Sequence, residues 1–482
     1  MKLSELLKNI DCKIINNEEN LDIEWITFKD SDCRQNSIFC CINGKVAKGA
    51  KFIKQAKNKG AVAILTSEII EDEDITQIVV SNVRKAVNEI CSVLFDYPYK
   101  KLKTIGVVGT NGKTTVCEHT AKILNSVGIK CAKIGTFGAK VGEKIYDTGF
   151  TTPDTPMLYS ILKDCVDSGY LTVCMELSAH AIYYEKADFK FDILIFTNCT
   201  PEHLDFFENY ESYRQTKLSA FSDKKCKLAI VNADDVTGKQ IICMRRSGTI
   251  SYGIEDPSDV FAIDLLEKPE GISFIMNLFD SLYDINSCYL GIFNVYNMLA
   301  IATTCALCGA KTSKIAQELS TFKGISGRME RVCDKINVFV DYAHTPDGLS
   351  NALTALNKVK GESKLICVFG CGGNRDRTKR EVMGKISGEL ADFTVITSDN
   401  PRFEDENFII GEIERGIRLI TREYITIRDR EQAIEYAVQI ANAGDYILIA
   451  GKGAEEYQEQ MGFYKRFSDK EVACTLVKSK YE

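Results

Sequence analysis

The chain is poor in histidine and has no long stretch of any one residue class. Only four of its 482 residues are histidine, so acid–base or metal chemistry rests on His119, His180, His203 and His344 or on other donors. No segment reaches the roughly 18 consecutive apolar residues of a membrane span. There is no long run of either charge sign, and the net charge is −7. That argues against nucleic acid or an anionic membrane as the main partner. The start, MKLSELLKNIDCK, lacks the uninterrupted apolar stretch of a secretory signal. No internal repeat or low-complexity segment stands out. Cysteine is abundant: 19 residues, an odd and scattered number, as expected of a chain kept in a reducing cytoplasm. Cys305 and Cys308 form a CxxC without a second pair, so buried thiols are expected rather than zinc. With 45% hydrophobic and 26% charged residues the composition is that of a soluble globular protein, long enough for two to four domains.

The most informative stretch is GTNGKTT, Gly109, Thr110, Asn111, Gly112, Lys113, Thr114 and Thr115. It follows an apolar run, Ile105 to Val108, and precedes a helix-like segment from Val116 to Val127. A small-residue turn between strand and helix lets backbone N–H groups and the helix N-terminus face a phosphate. Lys113 then reaches the outer phosphates and the Thr114 hydroxyl takes Mg²⁺. The strict first glycine of the common phosphate loop is replaced by Val107, giving GxxGKTT.

Three blocks follow from the pattern of strands and helices, at 1–100, 101–325 and 326–482. The second and third alternate strand and helix, which predicts an α/β fold with a doubly wound parallel sheet in the centre. Strands are predicted at Leu171 to Met175, Ile193 to Thr197, Leu228 to Val231, Val338 to Val340, Leu365 to Phe369, Phe393 to Ile396 and Tyr446 to Ala450. Polar clusters stand where these strands end: MELSAH, TNCTPEHLD, DYAH, FGCGGNRDR, TSDNPR and AGKGAEE. Ligands of α/β sheets bind at that edge, so the placement predicts an enzyme.

Within those clusters, Glu176 reads as a Mg²⁺ ligand or as a salt-bridged core acid. His203 and Asp205 read as a second metal site or as a helix N-terminal cluster. His119 reads as structural. Lys217, on a helix-like stretch from Tyr210 to Phe221, reads from residue physics alone as part of a solvated face. Arg328 reads as a cation able to cross a domain cleft to the phosphates or as a linker ion pair. Arg402, in the Asn-Pro turn DNPR, suits a carboxylate-bearing substrate.

The ordered motifs DSDCR, GTNGKTT, TTPDT, MELSAH, FTNCTPEHLD, GIFNVYN, GRME, DYAHTPD, FGCGGNRD, SDNPR and AGKGAEEYQ resemble those of the Mur ligases, ATP-dependent amino acid ligases of peptidoglycan precursor synthesis. The resemblance covers essentially the whole chain. It implies a UDP-sugar-binding first domain, a central ATPase and a Rossmann-like last domain for the incoming amino acid. Lys113 and Thr114 would serve ATP and Mg²⁺, with Glu176 as a metal ligand and His203 at a second metal. Asn294 and Asn297 would lie near adenine, and Arg328 and Asp341 near phosphates and ribose. Lys217 would be the carbamylated lysine of the family. Ser31, Thr151, Thr152, Ser178, Lys186 and His344 fall on the acceptor side, and His203 and His344 are candidates for a general base. DNPR is the pattern associated with meso-diaminopimelate. Arg402, Arg375, Asp399, Asn400, Gly451 and Glu455 would hold that molecule, and UDP-N-acetylmuramoyl-L-alanyl-D-glutamate would accept it. A cytoplasmic monomer is expected.

The sequence departs from the family pattern at Ala454, Ala179 and Lys186, at Asp30-Ser31-Asp32 with Arg34 two places on, and at Lys48-Gly49-Ala50. A related ligase joining lysine or another acceptor is the alternative. A folylpolyglutamate-synthetase-like ligase would lack the first block.

Overall fold

The structure is a computed structural model and describes all residues except 17–20, 43–48, 72, 246, 323, 334–335 and 482. Lys48 therefore lies outside the described residues. The fold is α/β throughout, built on three large sheets that follow one another along the chain.

The first sheet runs, in spatial order, Lys13–Ile15, Thr76–Val79, Ala61–Thr66, Ser37–Cys40 and Trp25–Thr27. Its outermost strand, Lys13–Ile15, is antiparallel and the rest are parallel. Its buried face shares one apolar cluster with the central sheet, from Leu3 and Ile90 to Phe196 and Phe221. First block and centre are thus fused by a common core.

The central sheet has eleven strands. Lys103–Val108 lies in its middle, between Thr172–Leu177 and Phe191–Phe196, and is parallel to both. These three strands are apolar and almost wholly buried, as parallel strands covered on both faces must be. Parallel pairing extends from Cys131–Gly135 across to Val260–Lys268. Both margins differ from the expected all-parallel sheet. One carries the antiparallel strands Gly138–Val141 and Lys144–Tyr146. The other carries an antiparallel meander of Val260–Lys268, Gly271–Leu278 and Ser281–Ser287. Two-residue connections leave no room for the crossover helices that parallel neighbours require.

The third sheet orders Glu330–Cys333, Asn337–Asp341, Tyr446–Ala450, Leu365–Phe369, Phe393–Ile396 and Tyr424–Thr426. It is parallel except at the Glu330–Cys333 edge. A separate hairpin, Tyr457–Gln460 with Phe463–Arg466, projects near its ligand edge.

Candidate active site

The phosphate loop leaves the buried strand Lys103–Val108 and enters the helix Lys113–Ser126. Two of its glycines are required. A Cβ on Gly109 would run into the Thr197 hydroxyl, and Gly112 has φ +85° with Asn297 Oδ1 where its Cβ would stand. Only glycine adopts that backbone without strain. The loop is braced from the neighbouring strand end: Asn198 Oδ1 accepts from Asn111 N at 2.9 Å, and Thr197 Oγ1 donates to Asn111 O at 2.6 Å. The Lys113 ammonium folds over it, donating to the carbonyls of Gly109 and Thr110. Thr115 is buried in the first helical turn. Asn294 and Asn297 are buried beneath the loop on the helix Ile292–Leu307 and hydrogen bond to each other.

Glu176 is buried inside its strand but is not the salt-bridged core acid of the bland reading. Its carboxylate accepts from the Thr114 hydroxyl at 2.9 Å, from Thr136 N at 2.8 Å and from the Thr136 hydroxyl at 3.2 Å. Oxygen donors therefore converge at the N-terminus of the loop helix, a donor set suited to Mg²⁺. Among the described residues no group of three histidine, cysteine or acidic side chains is placed to hold a metal alone. An ion here would be shared with phosphate oxygens, as Mg²⁺ commonly is.

Lys217 corrects the solvated-face reading. The helix Tyr210–Ser219 turns it inward, 1% exposed. Its ammonium donates to Thr110 Oγ1 at 2.7 Å and sits 4.2 Å from the Tyr213 ring centroid. Burial pushes its pKa down to about 7, with Cys199 opposing and Lys113 reinforcing the fall. A buried amine that sheds its proton near neutrality is the nucleophilic form that carbon dioxide captures.

The TPEHLD cluster does not begin a helix; the following helix starts at Tyr210. His203 has φ +57°, and Asp205 is exposed rather than paired with it. The partner of His203 is Glu202, 3.6 Å away. Glu202 also accepts from His344 Nε2 at 3.2 Å and from Tyr213 Oη at 3.2 Å. Burial works to raise the Glu202 pKa, but the His344 hydrogen bond and the charges of His203, His344 and Lys113 hold it well below the usual carboxylate range. Burial lowers His203 to about 4 against the pull of Glu202. His180 packs edge-on against His203, their centroids 4.8 Å apart. His344 also has Nδ1 2.9 Å from Tyr342 O. Both its nitrogens face acceptors, so in this arrangement it braces Glu202 against the Tyr342 backbone.

Three polar contacts join the second lobe to the third around the site, two of them at the phosphate loop. Arg328 Nη2 donates to Thr114 Oγ1 at 3.2 Å, Asn111 Nδ2 donates to Asp347 Oδ2 at 2.8 Å, and Glu202 meets His344. Asp341 receives the amides of Met329 and Ala343. Burial raises its pKa, opposed by Arg328.

On the acceptor side, Thr152 is buried and donates to Glu176 O at 2.8 Å, while Thr151 lies 3.3 Å from Thr136. Ser178 caps its short helix. Lys186 pairs with Asp154 at 2.7 Å, donates to Thr152 O and lies over Phe150. Lys29 approaches the same ring, which brings the first-lobe turn Asp30–Asp32 towards it. Ser31 donates to Asp32 there, and Arg34 stacks on Trp25. His119 is structural as expected: buried against Phe322, bonded to Tyr289, its pKa lowered to about 3 by burial.

In the third lobe Asn400 is the hub. It donates to Glu455 Oε2 at 3.0 Å and accepts from Lys452 Nζ at 2.9 Å. A Cβ on Gly451 would stand 2.6 Å from Asp399 Oδ2. Arg375 is exposed and adds to the field at His180. Arg402 is engaged within the lobe. Its Nη1 donates to Gly373 O at 2.9 Å and its Nε lies 3.2 Å from Glu459 Oε2.

Comparison with known proteins decides the family. The Mur ligase middle domain matches residues 107–305, and the Mur ligase glutamate ligase domain matches 327–453. The UDP-N-acetylmuramoyl-L-alanyl-D-glutamate--2,6-diaminopimelate ligase of Alkaliphilus oremlandii is 39% identical over 484 residues, covering 99% of each chain. This chain belongs to the Mur ligase family. A solved structure of a ligase with that same name has 27% identity and a TM-score of 0.69, covering 100% of this chain and 99% of its own. The Mur ligase MurF of Thermotoga maritima, solved in complex with ADP, shares the fold at TM-score 0.65 and 18% identity, covering 95% of this chain and 97% of its own. No described helix is long and apolar enough to cross a membrane.

Sequence reasoning passed over Glu202, Thr136, Asp347 and Lys452. Glu202 and Lys452 stood inside quoted strand-end clusters, where any acid or cation was a candidate, and Asp347 closed the quoted motif DYAHTPD. Thr136 carried no signal.

Proposed function

We propose that the chain is an ATP-dependent ligase with UDP-N-acetylmuramoyl-tripeptide synthetase activity, adding meso-diaminopimelate to UDP-N-acetylmuramoyl-L-alanyl-D-glutamate. One observation carries this reading: the phosphate loop and its helix meet Arg328 and Asp347, and the neighbouring Glu202 meets His344, on the lobe that carries Arg402. The full-length relatives support the same substrates. The first lobe, with Ser31, would hold the UDP-sugar, and Thr151, Thr152, Ser178 and Lys186 would line the path of its peptide. Asn294 and Asn297 would border adenine, and Asp341 the ribose.

The acceptor carboxylate attacks the γ-phosphorus of ATP, forming a carboxyl–phosphate bond as ADP leaves. The amine then attacks the acyl carbon, and phosphate departs from the tetrahedral intermediate. Lys113, the loop N–H groups and Arg328 stabilise charge gathering on the transferred phosphoryl group. Glu176, the Thr114 hydroxyl, His203 and a carbamylated Lys217 would hold Mg²⁺, which screens carboxylate from triphosphate when bound. His203 is neutral at working pH, as a metal ligand must be. Closure of the third lobe over the loop would exclude water from the acyl phosphate.

Phosphate release from ATP, measured with the UDP-muramoyl dipeptide and with meso-diaminopimelate or L-lysine in parallel, tests this. Turnover preferring diaminopimelate supports the reading; equal turnover or a preference for lysine defeats it.

A further inference from the structure

A further polar contact between the second and third lobes lies away from the site. Lys358 Nζ donates to Glu267 Oε1 at 2.8 Å. Lys358 stands in the last turn of the helix Pro346–Val359, and Glu267 on the strand Val260–Lys268 of the antiparallel meander. The two partners differ in burial: the lysine side chain is 44% exposed and the glutamate side chain 10%. Glu267 Oε2 is buried with no hydrogen-bond partner among the described residues. A carboxylate so placed has one cation and little water to offset its charge.

The same helix runs along the lobe interface. At its start Asp347 accepts from Asn111 of the phosphate loop. Further along, Ala355 lies against the turn that opens the helix Ile292–Leu307: a Cβ on Gly291 would stand 3.0 Å from Ala355 Cβ. Leu290 and Phe293 of the second lobe join the apolar cluster of Leu349, Ala352 and Leu356. Lys358 closes that seam, about 16 Å from Asp347 along the axis at 1.5 Å per residue. One helix therefore ties the phosphate loop to the meander, and its seat on the second lobe fixes where Asp347 stands.

We propose that Glu267 and Lys358 are positioning residues for the ligation: the pair seats the helix and holds Asp347 and Arg328 over the phosphate loop. The difference in burial sets how it acts. Removing the lysine strands a buried carboxylate, which regains water only when the third lobe lifts from the meander. The penalty falls on the seated arrangement and not on either folded lobe. Removing the glutamate returns an exposed ammonium to water with little loss. Replacing both by apolar side chains removes the charge together with its partner, which is close to neutral. This inference rests on the functional reading above, because it takes closure over the loop to be needed for turnover.

The test uses the full chain and its K358M, E267M and E267M/K358M variants. The quantities read are kcat/KM for meso-diaminopimelate, the radius of gyration from small-angle X-ray scattering, and the thermal midpoint. K358M is expected to lower kcat/KM about tenfold, towards the lower end of what an unpaired buried charge costs. Its radius of gyration should grow while its thermal midpoint holds. E267M should stay within about threefold of the unsubstituted chain. The double variant should also return to within about threefold, with its radius of gyration restored. An unchanged K358M overturns the proposal, and so does a loss that the double variant keeps or deepens. A loss in K358M at unchanged radius of gyration, or one matched by a fallen thermal midpoint, overturns it too, reducing the pair to a prop of the fold. If the unsubstituted chain does not ligate meso-diaminopimelate, the functional reading itself fails, and the radius of gyration still decides the seat. If it does and K358M matches it in rate and size, only the seat fails.

Discussion

Arg328 crosses from the third lobe to place Nη2 3.2 Å from the Thr114 hydroxyl, the same hydroxyl that donates to Glu176 at 2.9 Å. A cation from one lobe thus touches the first turn of the phosphate-loop helix in the other. R328A should lower kcat by about 10²-fold, the usual loss of one fixed charge aimed at a developing anion. R328K should recover little, because a point charge lacks the guanidinium fork. Single-turnover and steady-state phosphate release check both.

Lys217 has a pKa of about 7 in its buried setting, and only its neutral amine reacts with carbon dioxide. Carbamate occupancy, followed by carbon NMR with labelled bicarbonate, should rise as pH passes from 6 to 8. K217A should be inactive and partly restored by small carboxylates. Occupancy that falls with pH would contradict this placement.

His119 and His203 are held neutral, at about 3 and about 4, whereas an unfolded histidine titrates near 6.5. Between those values the unfolded chain binds more protons, so stability must fall as pH drops below about 6.5. Thermal midpoints from pH 8 to pH 5 should be flat and then decline. H119F should shallow the decline while lowering the plateau, because Tyr289 loses its partner.

Arg402 contributes charge-assisted contacts, so R402A should raise KM for the amino acid roughly 10- to 100-fold with a smaller effect on KM for ATP. Equal effects on both would place the arginine outside the amino acid site.

The parallel strands were legible because buried parallel strands are continuous apolar runs: Ile105 to Val108 in the centre and Leu365–Phe369 in the third sheet could be read directly. The meander 260–287 was not, because half-exposed strands carry charges such as Asp264 and Glu267 that mask the apolar alternation. The phosphate loop is local in sequence and was read residue by residue. Lys217 was misread from composition because its environment is built by Thr110 and Tyr213, and Thr110 is 107 residues away. Family resemblance supplied what local physics did not. Glu202 was missed for a similar reason, since one partner, His344, lies 142 residues distant. Arg402 was read as an anion receptor, and a residue outside any quoted motif, Glu459, stands beside it.

The central claim is that the acceptor acid is activated by phosphoryl transfer at the Gly109–Thr115 loop. Turnover with an acceptor whose terminal carboxylate carries ¹⁸O tests it directly, with the released phosphate examined by mass spectrometry. One ¹⁸O in each phosphate is the predicted result, because the carboxylate oxygen that joins phosphorus leaves with it. Phosphate free of label, formed alongside ligated product, would contradict the account.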